Sequence, residues 1–290
     1  MTRELKSALS AAISETTGEA FTLATLQPQS GGCINEAYTA SDGAASYFIK
    51  LNAANALPMF EAEAAALREL AAANAIRVPQ PMHYGIAVGR SYLIMEDLPF
   101  GPVQPGSWEA MGRQLARLHR TTFWQFGWHL DNTIGPTPQP NAWTPDWPTF
   151  WREQRLRPQF ELAREKGYQF ERTGELLAAV GALLDGHRPE ASLLHGDLWS
   201  GNASFLDDGS PVLFDPASYY GDRETDLAFS EFFGGFNPAF YRAYKEEWPL
   251  PPGYEMRKTL YNLYHVLNHA NIFGGSYAGE AERMIGQLLS

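Results

Sequence analysis

Residues 193–202 read LLHGDLWSGN. The stretch sets His195, Asp197 and Asn202 among glycines, behind a pair of leucines. Two leucines suit the end of a buried strand, and Gly, Asp, Ser and Asn suit the turn after it. On that reading the segment is an ordinary strand-to-turn boundary. On the other, it is a loop in which Asp197 takes a proton and Asn202, five residues on, binds a metal ion. Residues elsewhere in the chain decide between the two.

PVLFD (211–215) is a β-like run ending on Asp215, and a strand returning beside the loop would add that carboxylate to the same pocket. SYFIK (46–50) ends a strand on Lys50, and the alanine-rich stretch EAEAAALRELAAANA (61–75) is built of helix formers and offers Glu61 and Glu63. Phosphoryl transfer calls for this set, because such a site aligns donor and acceptor and neutralises a triphosphate with little covalent chemistry of its own. A strand-borne lysine holds donor phosphates and a helix glutamate holds the lysine. Asn and Asp oxygens suit Mg²⁺, a hard cation. A second Asp orients the acceptor hydroxyl and takes its proton. H-G-D-L-x-x-x-N followed by a strand-end Asp has the layout of a kinase catalytic loop and its metal-binding partner. Asp197 is better placed than His195 for the base, which leaves His195 to brace the loop. QSGGCINEAY (29–38) lacks G-x-G-x-x-G, yet the amides of a tight turn at Ser30, Gly31 and Gly32 could still donate to phosphate oxygens.

The chain of 290 residues is 44% hydrophobic, long enough for two subdomains with a sizeable core. A formal charge of −11 argues against a general nucleic-acid or anionic-membrane binder. The first residues, MTRELKSALSAAISETTG, pattern as an amphipathic helix rather than a signal peptide, and no run reaches membrane-span length. The cytoplasm is the expected location. One cysteine, Cys33, excludes an intrachain disulfide.

EAYTA and SYFIK read as strands joined by a hairpin turn at SDGA; RVPQPMHYG (77–85) is turn-rich, and SYLIMEDL (91–98) is another strand. Beyond Ser107 helical spacing dominates, from WEAMGRQLARLHR (108–120) onward, broken by the Pro- and Trp-rich DNTIGPTPQPNAWTPDWP (131–148) and by the two polar loops. The expectation is an α+β protein with two lobes. Residues 1–98 form a small lobe of antiparallel sheet and helix that binds nucleotide. Residues 99–106 (PFGPVQPG) form a hinge or linker, and 107–290 a larger, mainly helical lobe with the catalytic and acceptor groups.

The stretches GGCINEAY, MFEAEAAAL, VPQP, LIMEDL, DNTIGPTPQ, DWPTFWREQRL, LLHGDLWSGN, FDPASYYGDRETDLA and FGGF, in that order across nearly the whole chain, resemble the fructosamine kinase (ketosamine 3-kinase) family. That family is related to the aminoglycoside and choline phosphotransferases. The resemblance implies a protein-kinase-like fold and transfer of the γ-phosphate of ATP to the 3-hydroxyl of a ketosamine, a sugar adduct of an amine or a protein lysine. The phosphorylated adduct is unstable and releases the amine, so the implied role is deglycation. Carried onto matching positions, Asp197 is the proton acceptor, Asn202 and Asp215 hold Mg²⁺, and Lys50 contacts the α/β phosphates with Glu63, ahead of Glu61, as its partner. Glu96, Asp97 and Leu98 form the hinge that reads adenine through the backbone, and Asp226 braces the catalytic loop.

Trp199 either stacks on the apolar face of a sugar or packs the loop onto its lobe; Trp143, Trp147 and Trp151 read as packing. Cys33, in the phosphate turn, is a candidate redox thiol whose intermolecular disulfide would occlude ATP, so monomer and redox-sensitive dimer both stand. Two other readings remain at this level: a kinase of the same fold acting on another small alcohol or amino-sugar, and a silent nucleotide-binding protein.

Overall fold

The structure is a computed structural model that describes residues 1–29 and 34–290. Ser30, Gly31, Gly32 and Cys33 lie outside the described residues. Two units divide the chain: Met1–Ser107 with Ser204–Asp215, and Trp108–Ala203 with Pro216–Ser290.

The first unit opens with α1 (Arg3–Thr17). The Thr2 side chain caps it by accepting the Leu5 N–H, and Gly18 ends it in the left-handed conformation (φ 74°). Five antiparallel strands follow: β1 (Thr25–Gln29), β2 (Glu36–Ser41), β3 (Ser46–Ala53), β4 (Pro81–Ala87) and β5 (Arg90–Glu96). Their spatial order is β1-β2-β3-β5-β4. The hairpin turn expected at SDGA is held by Asp42, whose Oδ1 accepts the N–H groups of Ala44 and Ala45 at 2.8 Å. The stretch read as turn-rich at 77–85 instead contributes β4. Pro81 is tolerated there because it begins an edge strand, where a missing N–H breaks little of the ladder.

Side chains alternate across β3. Ile49 and Leu51 join Leu5, Leu9, Ile13, Phe21, Tyr92 and Ile94 in a core against α1. Lys50, between them, points to the other face, where α2 (Leu57–Ala72) presents a stripe of Phe60, Glu63, Ala64, Leu67 and Leu70, all buried. Glu63 therefore sits among core positions, whereas Glu61 is on the exposed side of the same helix.

Residues 99–106, expected as a linker, are bonded with Ser107 to the hairpin that follows the 193–202 loop. Gly101 N–H donates to Phe205 O at 2.9 Å, Asp207 N–H to Pro99 O at 3.1 Å, and Ser107 Oγ to Gly209 O at 2.7 Å. A side chain at Gly101 would bring a Cβ within 2.6 Å of the Asp207 Cα, so the two backbones touch. These contacts are why Ser204–Asp215, expected within 107–290, groups with the N-terminal unit.

The second unit is mainly helical, and its longest helix is Tyr254–Phe273. A three-stranded sheet has the order Tyr220–Gly221, Ala191–Leu193, Thr122–Phe123, and its middle strand leads into the 193–202 loop. Trp147 and Trp151 are buried, and the Trp147 Nε1 donates to the Tyr261 hydroxyl at 3.0 Å. Trp143 is half-buried with its ring 4.6 Å from Phe123. These rings pack the unit, as expected of large aromatic side chains. Arg155 has no exposed surface; its guanidinium lies 3.9 Å from the Tyr219 ring centroid and donates to Asn141 Oδ1 at 2.7 Å. No helix among the described residues is long and apolar enough to cross a membrane.

Candidate active site

In the first unit the register of β3 fixes Lys50 opposite Ala37 on β2 and Leu93 on β5. Its Nζ is 2.6 Å from Glu63 Oε1 and 2.6 Å from Asp215 Oδ1. Burial by itself would lower the lysine's pKa, but the Asp215 and Glu63 carboxylates outweigh it and hold the ammonium above the ordinary lysine range. Burial raises the Glu63 carboxyl above the usual glutamate range, against the pull of Lys50. Asp215 is nearly half exposed at its side chain, so the triad is dry at the lysine and open at the aspartate. Its backbone is left-handed (φ 57°), which Asp accepts more readily than most residues but which costs energy directly before Pro216. Of the two helix acids, Glu63 alone meets Lys50 among the contacts described.

At the expected hinge, Glu96 has a side-chain function that backbone reading did not foresee. One carboxylate oxygen pairs with the Arg77 guanidinium and the other accepts the Gln80 N–H at 3.2 Å. The Glu96 N–H itself donates to Gln80 O at 2.9 Å. Asp97 and Leu98 follow, half-buried.

In the second unit, Leu193 ends the buried strand, Leu194 follows it, also buried, and the chain turns at Gly196 (φ 82°). A Cβ at Gly196 would lie 2.1 Å from Ala217 O, so only glycine fits. His195 is fully buried and its Nδ1 accepts the Asp197 N–H at 3.3 Å, a bracing contact rather than a base position. Asn202, also buried, donates from Nδ2 to both Asp197 O and Asp197 Oδ2 at 2.9 Å. The five-residue spacing thus closes the loop on itself and orients the aspartate. With Nδ2 engaged, Asn202 offers its carbonyl oxygen as a cation ligand. The Trp199 ring lies 5.9 Å from Phe233, and a Cβ on Gly201 would come within 2.3 Å of the indole. Trp199 is half-buried, and Gly201 is the reason its ring fits over the loop.

Beneath the loop, Asp226 accepts the N–H of His195 at 2.7 Å and of Gly196 at 2.8 Å. His119 Nε2 stands 3.1 Å from Asp226 Oδ2, and its Nδ1 is 2.8 Å from the Tyr244 hydroxyl. Burial works against the Asp226 charge, but His119, His195 and the Gly196 N–H hold its carboxyl below the ordinary aspartate range. The sequence reading had Asp226 as a brace but missed His119, which ends the helix Ser107–His119 and has no local signal that sets it apart from a core histidine. Asp226→Asn is expected to lower stability by about 2–4 kcal/mol, because a buried charge-assisted network loses its anion. With the folded pKa depressed, the Asp226 contribution is complete above the ordinary aspartate range. It is lost as pH falls through the depressed value. Urea denaturation across about pH 3–7 should show this acid-side loss in the wild type and a smaller one in the variant.

A further polar cluster went unread in the sequence. His187, Asp222 and Glu224 bring possible ligand atoms within 4.8 Å of one another. Their partners mark the group as an internal ion network. Asp222 Oδ2 meets His187 Nε2 and the Tyr261 hydroxyl at 2.6 Å each, and Arg257 donates to both Glu224 oxygens at 2.7 Å. A cavity of about 590 Å³ beside it is lined by His187, Asp222, Arg223 and Trp248 and includes neither Asp197 nor Asn202. The reactive groups, not this cavity, locate the candidate site.

In the first unit a lysine is fixed between a helix glutamate and Asp215, and in the second an Asn-oriented aspartate stands on an H-G-D loop; each is a group of the kind that kinase-like phosphotransferases use. The profile of the fructosamine kinase family matches residues 5–290, and the chain belongs to that family. A Synechocystis protein named a probable ketoamine kinase is 50% identical, over 96% of this chain and 94% of its own length. A chloroplastic protein-ribulosamine 3-kinase of Oryza sativa subsp. indica is 41% identical, over 94% of this chain and 81% of its own. The crystal structure of a provisionally named fructosamine-3-kinase of Haemophilus somnus superposes with a TM-score of 0.91 at 33% identity, covering 97% of each chain.

Proposed function

We propose that this chain, a ketosamine kinase by its family, uses Asp197 to accept the proton of the 3-hydroxyl of a sugar–amine adduct as the γ-phosphoryl group of ATP is transferred to that oxygen. The observation that carries the reading is Lys50, a buried cation held at 2.6 Å by both Glu63 and Asp215. A dry, pre-aimed ammonium suits donor phosphates and is more than a core needs, since burying the Lys50 and Glu63 charges is costly. The Asn202 amide fixes the orientation of Asp197, so the acceptor hydroxyl meets a carboxylate whose position is already set.

Family membership implies ATP and a divalent cation. The Asn202 carbonyl and the Asp215 carboxylate are hard oxygen donors that fit Mg²⁺, and we assign the metal to them. When bound, such an ion neutralises charge on the phosphate oxygens. Lys50 supports the phosphates, Glu63 keeps the lysine in place, and Asp97 and Leu98 read adenine through the backbone, since the Glu96 N–H is already bonded to Gln80. Ser30, Gly31 and Gly32 remain the proposed phosphate turn. Trp199, half-buried against Phe233, is the proposed face for the sugar. As an ATP-dependent repair enzyme the protein is proposed to act in the cytoplasm on small or protein-bound ketosamines.

ADP release measured with ribulosamine, fructosamine, choline and an aminoglycoside as acceptors tests the substrate assignment. Ketosamine-dependent turnover with negligible choline or aminoglycoside turnover is expected. Turnover only with another alcohol would overturn the acceptor and keep the kinase.

A further inference from the structure

Arg77 stands at the meeting of two parts of the nucleotide machinery within the first unit. Its carbonyl accepts the N–H of Leu213 at 3.0 Å, and it bridges Val212 in a parallel pairing. That strand, Pro211–Leu213, ends two residues before Asp215, whose Oδ1 is 2.6 Å from Lys50. The Arg77 guanidinium pairs with Glu96, the last residue of β5 and the first of the hinge, and also donates to Val78 O at 2.8 Å. The remaining Glu96 oxygen takes the Gln80 N–H at 3.2 Å, so the carboxylate clamps the stretch 77–80 to the hinge from both sides. One residue therefore ties the end of β5, at Glu96, to the strand that leads to Asp215.

We propose that Arg77 is a positioning residue for the nucleotide: through Glu96 it sets the spacing between the hinge and Asp215, and thereby the affinity for MgATP. The proposal rests on the hinge and metal assignments made above. It explains why a hinge that reads adenine through its backbone carries a side chain engaged at both carboxylate oxygens. It also explains the grouping of Ser204–Asp215 with the N-terminal unit, since the hairpin is bonded to 99–101 on one side and to Arg77 on the other. The pair is about one-third exposed at both side chains, so its loss should loosen the geometry without unfolding the sheet.

The test is the affinity of the full chain for the non-hydrolysable analogue AMP-PNP with Mg²⁺, measured by calorimetry in the absence of any ketosamine. Arg77→Gln is expected to weaken binding roughly fivefold, with its melting temperature within a few degrees of wild type. Glu96→Gln should give a similar loss, and the double variant should be no worse than either single one, because both remove the same link. Arg77→Lys, which keeps one charged donor, should recover part of the affinity. KM for the ketosamine should not move. Unchanged AMP-PNP affinity in Arg77→Gln, or losses that multiply in the double variant, would overturn the proposal; so would a lowered melting temperature with unaltered binding, which is what a purely structural link produces. Failure of the ketosamine assignment is read separately, as absent ketosamine turnover in a protein that still binds AMP-PNP in this pattern.

Discussion

Asp197→Asn is expected to lower kcat for ketosamine phosphorylation by about 10²- to 10⁴-fold, the range for loss of a positioned general base. Asparagine keeps the size of the side chain and an oxygen that can accept the Asn202 amide, now 2.9 Å from Asp197 Oδ2, so the loop should keep its shape. The Asp226 bonds to His195 and Gly196 do not involve the substituted side chain and should hold the turn as before. The expected signature is a fall in kcat with AMP-PNP affinity and melting temperature near wild type. Steady-state ADP release alongside calorimetric nucleotide binding measures it. A variant retaining more than about a tenth of wild-type kcat would remove Asp197 from the role of base and leave it a positioning group.

Lys50→Met should have the second large effect, and on two observables. The substitution leaves Glu63 buried without its cation and deprives Asp215 of a contact at 2.6 Å. Breaking a buried pair from one side typically costs about 3–5 kcal/mol, and Asp215, nearly half exposed, should contribute little of that. Glu63 already titrates above the usual glutamate range because of burial, and without Lys50 it should rise further. A raised folded pKa gives stability that is full below the ordinary glutamate value and is lost as pH rises through the folded one. The variant's deficit relative to wild type should therefore be smallest in acid and grow toward neutrality. Urea denaturation of both proteins from about pH 4 to 8 should show the curves diverging. Parallel curves would mean that Glu63 finds another partner. Nucleotide affinity should fall as well, because a cation for the donor phosphates is gone.

Much of this site was legible because its parts are local. The spacing from Asp197 to Asn202 is a property of ten consecutive residues, and the structure closes it with a side-chain bond inside the same loop. Lys50 was legible as a strand residue, but β3 runs on to Ala53 instead of ending there, and alternation within it sends Lys50 to the face opposite Ile49 and Leu51. The choice between Glu61 and Glu63 was only partly so. Both lie in the same alanine-rich run, and what separates them is which one shares a stripe with Phe60, Leu67 and Leu70, a matter of how α2 rolls on the sheet. β4 was masked by proline and glycine chemistry that reads as turn, and pairing with β5 overrode it.

The long-range supports had no sequence signal. His119 and Asp226 are 107 residues apart, and Arg77 meets the strand before Asp215 across more than 130 positions. A lone histidine or arginine looks the same in a sequence whether it is solvated, buried in a core or clamped to a catalytic loop. By itself the sequence determined the reaction class, the family and the identity of the groups that carry charge, because loop spacing and strand or helix periodicity depend on neighbours along the chain. Tertiary structure alone decided which carboxylate holds Lys50, what braces the H-G-D turn, and that the hairpin ending at Asp215 belongs with the hinge, because burial and hydrogen-bond partners depend on neighbours in space.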